Sequence, residues 1–81
     1  MKFTAGNFYI VRWLDASEQD DQDTEEFGSV MQTAGWIYKS NRYGVRLGNE
    51  RYKDKGDYRY RGITDIPRKI IMNAQEVEVD E

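Results

Sequence analysis

The chain has 81 residues and a mass of 9.6 kDa, room for one domain and one core. It contains no cysteine and no histidine, which removes disulfides, the common zinc sites and the usual nucleophile–base pairs. Its net charge of −3 is small, and its longest apolar run is a few residues where a spanning helix needs about twenty, so the composition predicts a soluble module with no membrane segment.

The small net charge hides a block pattern. Residues 1–14 carry +2, residues 15–26 carry −7, residues 27–38 are neutral, residues 39–75 carry +6 and residues 76–81 carry −4. Segment 15–26 has seven acids, no bases and almost nothing apolar, so it reads as a solvated acidic loop, and 76–81 as an acidic mobile tail, both within a single β-rich domain covering 1–81. Leu, Ile, Val and Phe together number sixteen, close to the level below which a charged chain stays unfolded. Eleven aromatic residues compensate, since each ring offers roughly 150–250 Å² to bury, and they are the expected source of the core.

In chain order, Phe8 to Leu14 is rich in β-formers and predicts a first strand, largely apolar on both faces, which fits a strand that is central or curled inside a barrel. After the acidic loop a second strand begins near Phe27 or Gly28 and runs through Val30, Thr33, Trp36, Ile37 and Tyr38, with a bulge or corner at Gly35. Trp13 and Trp36 are both expected in the core. A turn at Ser40-Asn41-Arg42 leads to a third strand, Tyr43–Leu47, ended by Gly48-Asn49. A two-residue loop there would set Lys39 opposite Arg42, so a longer loop is an equal candidate. Lys53 to Asp57 forms a polar turn with Gly56 at positive φ, and Tyr58–Ile63 a fourth strand with its tyrosines and arginines on opposite faces. Residues 66–79 can be drawn as one amphipathic helix or as two short strands, Arg68–Met72 and Glu76–Val79. The whole is mainly β: a small, strongly bent antiparallel sheet or SH3-like barrel of five to six short strands, with a short C-terminal helix as the open alternative.

The series Trp13-Leu14-Asp15-Ala16, acidic loop, Gly35-Trp36-Ile37-Tyr38, hairpin, Ile66-Pro67-Arg68-Lys69-Ile70 resembles small phage- and prophage-encoded proteins of the SH3-like or Sm-like barrel type. The resemblance spans residues 8–72; the Arg/Tyr-rich stretch from Arg51 to Arg61 departs from a plain barrel pattern. It implies a fold and a phage origin, hence the cytoplasm of a bacterial host, and no catalytic role.

Catalysis finds little support in the residues themselves. The loop carboxylates lack apolar walls that would raise a pKa, and the run has no glycine at the sixth position of a calcium loop counted from Asp15 or Asp20. No phosphate-binding loop or dinucleotide glycine pattern is present, and neither a metal nor a cofactor is expected. The reading is therefore a non-enzymatic interaction module. A protein partner would meet the acidic loop at Asp20, Asp21, Asp23, Glu25 and Glu26 and an aromatic surface at Trp36, Tyr38 and Tyr43. The alternative is a barrel that binds single-stranded or duplex nucleic acid through Arg42, Arg46, Arg51, Tyr52, Lys53, Arg59 and Arg61, where cations meet phosphates and rings meet bases. The opposed charge blocks also permit a homodimer.

Overall fold

A computed structural model describes residues 1–15 and 28–79. The expected acidic loop, apart from Asp15, and the last two residues of the tail lie outside that range, as do all five acidic residues assigned to a protein partner.

Five strands form one antiparallel sheet: β1 (Phe8–Asp15), β2 (Ser29–Ser40), β3 (Gly44–Asp54), β4 (Asp57–Pro67) and β5 (Ile71–Val77), with a single 3-10 turn at Arg68–Ile70 before β5. Their order across the sheet is β4-β3-β2-β1-β5. β1 is central, as its two apolar faces predict: it pairs with β2 from Phe8↔Trp36 to Asp15↔Ser29 and with β5 from Phe8↔Val77 to Trp13↔Ile71. β4 and β5 are the two edges of the sheet, yet Ile66 of β4 and Ile71 and Ala74 of β5 pack on the same core. A sheet whose opposite edges share a core must curl around it, which is the bent form expected.

That core is built mostly of aliphatic side chains. Val11, Ile37, Val45, Leu47 and Ile66 are buried, joined by Tyr9, and Phe3, Trp13, Ile70, Ile71 and Ala74 pack around them. Burying each large aliphatic group contributes roughly 1.5–3 kcal/mol. The expectation of an aromatic core is therefore corrected: Tyr9 is the one buried ring among the described residues, because the alternation that buries Ile37 leaves Trp36 half-buried and Tyr38 exposed, and Tyr52, Tyr58 and Tyr60 lie on the β3–β4 hairpin beyond the core. Trp13 flanks the core and donates its indole N–H to Thr33 Oγ1 at 2.9 Å, whereas Trp36 lies outside the core, edge-on to Phe8 at 4.9 Å. The Tyr9 hydroxyl is satisfied at both ends, accepting from the Thr4 N–H at 2.9 Å and donating to Glu76 at 3.2 Å. This ties the N-terminal segment to β5, and Gly6 and Asn7 extend the tie to Ile37 through backbone hydrogen bonds.

Three boundaries differ from the sequence reading. The bulge in β2 falls between Ile37 and Lys39, at Tyr38, and not at Gly35. A Cβ on Gly35 would sit 2.7 Å from the Gly48 carbonyl oxygen, so this glycine serves a close approach of two strands. β3 does not stop at Gly48-Asn49 but continues to Asp54, and β4 runs on to Pro67, because the two strands form one long hairpin. Residues 66–79 form neither the helix nor the pair of strands drawn for them: Pro67 carries the chain into one 3-10 turn, and Ile71–Val77 is a single strand held by β1. The longer turn is found after β2, where the Asn41 side chain accepts from the Tyr43 and Gly44 N–H groups.

Candidate binding surfaces

β3 leaves β2 at Gly48, and beyond it the β3–β4 hairpin projects as a two-stranded ribbon over residues 49–62. Its tip is Lys55-Gly56, with φ of 54° and 88°, the double positive φ of a primed hairpin turn. No residue of the ribbon is buried. Most residues assigned to nucleic acid lie here, and they are engaged by neighbouring groups of the protein. Arg61 faces Glu50 at 3.6 Å and stands over the Tyr52 ring, and Arg59 approaches Asp54 at 3.9 Å. Arg51 lies 4.9 Å from the centre of Trp36 and 4.1 Å from that of Tyr58, and it donates to the Gly6 carbonyl at 3.3 Å. Lys53 Nζ also lies 5.3 Å from the centre of the Tyr58 ring. Tyr58 and Tyr60 are half-buried while Arg59 and Arg61 are exposed, as their alternation predicts.

Arg46 is paired too. Its Nε and Nη2 both donate to Asp65, at 2.7 and 3.0 Å, a two-point contact between directly opposed residues. The hydrogen bond from Arg46, opposed by desolvation and helped by the attraction of its charge, holds the Asp65 carboxyl below the usual carboxylate range. The same hydrogen bond and charge raise the Arg46 guanidinium further above its already high value.

The aromatic residues assigned to a protein partner do not form one cluster. Trp36 belongs to the Phe8 and Arg51 contacts, Tyr38 tilts against Tyr60 at 5.3 Å, and Tyr43 stands in the β2–β3 turn with Arg42 over its ring. Tyr43 is the most exposed large apolar residue among those described, at 68%. It borders an open groove of about 500 Å³ together with Val45, Ile66 and Pro67, and with Lys39 and Lys69 on the rim. A second recess of about 330 Å³ lies at the other end of β5, between Phe8, Trp36, Arg51, Glu76 and Val77.

The sequence reading missed the groove, because its walls come from two segments twenty residues apart. One signal could have exposed it: Arg46/Asp65 and Glu50/Arg61 are placed symmetrically about Lys55-Gly56, so a hairpin centred there opposes unlike charges at both pairs. The same register carries Val45 to Ile66 and Gly44 to Pro67, which builds the groove floor. Among the described residues no three acidic groups come together as a metal site, and no helix is long and apolar enough to cross a membrane. Compared with protein-family models, curated proteins and solved structures, the chain matches none.

Proposed function

We propose that the chain is a non-enzymatic, phage-type interaction module of SH3-like form that binds a protein partner, with Tyr43 and the adjoining groove as its aromatic contact surface. The carrying observation is the contrast between the two candidate surfaces. On the ribbon and in the β3–β4 body, Arg46, Arg59 and Arg61 already have carboxylate partners, so the positive charge offered to a polyanion is much smaller than the residue count suggests. At the groove, by contrast, a 68%-exposed tyrosine stands beside an apolar floor, the arrangement of an interface anchor awaiting a partner. The strand order and the 3-10 turn between β4 and β5 support the SH3-like form. The acidic segment 15–26 would add electrostatic steering toward a partner's basic surface.

The test places a photo-crosslinking amino acid at position 43 and, separately, at position 59 in cells of the native host. A discrete protein adduct from position 43 and none from position 59 is expected. Salt-dependent binding of labelled single-stranded or duplex nucleic acid that disappears in Arg59→Ala/Arg61→Ala would overturn the proposal in favour of a nucleic-acid-binding barrel.

A further inference from the structure

The groove end of the molecule concentrates cations that have no acid partner among the described residues. Lys39 and Lys69 stand on the rim, Arg42 lies over Tyr43, and Arg68 crosses from the 3-10 turn to the Asn41 and Met1 carbonyl oxygens. None of these four has a carboxylate partner among the described residues. Asp65, the one acid of the groove wall among the described residues, is taken by Arg46 through both its oxygens. The floor is different in kind: Val45 and Ile66 are buried at its base, and Pro67 and Tyr43 form exposed apolar walls.

From this juxtaposition we infer that the groove takes a short extended acidic peptide segment of a partner protein, in which apolar and acidic side chains alternate. The inference rests on the protein-binding reading and specifies its partner. In an extended strand successive side chains point to opposite sides, so one set of residues can fill the apolar floor while the acids between them reach the lysine rim. The volume, about 500 Å³, suits a few residues and is within the range of small-ligand sites. A nucleic-acid strand fits less well, because continuous base stacking needs successive aromatic platforms and the groove offers the single ring of Tyr43.

Fluorescence anisotropy with a fluorescein-labelled peptide of alternating Glu and Val tests this directly. A peptide of alternating Glu and Ser and a labelled oligothymidylate serve as comparisons. The Glu/Val peptide should bind more tightly than the Glu/Ser peptide, lose affinity as salt rises, and weaken about tenfold in Lys39→Glu/Lys69→Glu, with Lys39→Gln/Lys69→Gln intermediate. Both lysines are exposed, so an unchanged thermal midpoint and circular dichroism spectrum establish that these variants remain folded. Equal binding of the two peptides, tighter binding of oligothymidylate through the same lysines, or no peptide binding would each overturn the inference. If position 43 still crosslinks to a protein while the Glu/Val peptide does not bind, the acidic chemistry fails and the protein-binding reading stands. If neither occurs, both fail.

Discussion

Gly62 shows how much one position can demand. It lies in β4 with φ of +65°, a backbone region in which a side chain is strained, and the Asn49 carboxamide occupies the space where a Cβ would stand. Gly62→Ala should therefore cost about 1–3 kcal/mol in urea unfolding, part from backbone strain and part from displacing the amide. Adding Asn49→Gly should recover the second part only, which separates the two causes in one experiment. Asp65 makes a different claim. Its carboxyl is depressed in the fold by Arg46, so the stabilisation it brings is present above the ordinary aspartate pKa and lost as pH falls through the lower folded value. Following carboxyl chemical shifts by NMR should place Asp65 below the other exposed aspartates, and Arg46→Met should return it toward them.

At the level of elements, the β3–β4 hairpin is held in register by its own side chains as much as by its turn. Arg46/Asp65 and Glu50/Arg61 set unlike charges face to face, while Asp54/Asp57 at the tip sets like charges together. The tip is the weak point for a second reason: Lys55 takes φ of 54°, which a lysine adopts at a cost and asparagine accepts more readily. Lys55→Asn should raise stability by about 0.3–1 kcal/mol, read as a shift in the urea midpoint at unchanged slope. Much at this level was legible in the sequence. The β-formers of Phe8–Leu14 and the Gly56 turn announced their elements, because propensity and turn chemistry act locally. The extension of β3 past Gly48-Asn49 was hidden, since the glycine serves an interstrand approach and its signal is the same as that of a turn. The fate of residues 66–79 was hidden for a related reason: Ile66, Ile70, Ile71, Ala74 and Val77 satisfy a helical period, and only pairing with β1 makes 71–77 a strand.

For the molecule as a whole, the charge blocks are sorted in space, which the sequence alone could not show. Four cations without a carboxylate partner among the described residues gather at the end where the β2–β3 turn meets the 3-10 turn, while Arg59 and Arg61 of the ribbon lie near Asp54 and Glu50. Counting residues along 39–75 merged these two populations and made the ribbon look like the stronger polyanion site. The groove became visible only when β3 and β4 were placed side by side.

The ribbon's departure from β2 at Gly48 also divides the sheet into parts of unequal cooperativity. Residues 49–62 contribute nothing to the buried core, and apart from the contacts of Arg51 with Gly6 and Trp36 and of Tyr60 with Tyr38, their pairing is between β3 and β4 alone. Such a segment can open while the rest of the protein remains native, through a local fluctuation that exposes little new surface. Amide protons near Tyr52 and Tyr58 should then exchange with deuterium at rates almost indifferent to low concentrations of denaturant. Those of Val11, Ile37 and Leu47 should wait for global unfolding, giving this small sheet two clocks.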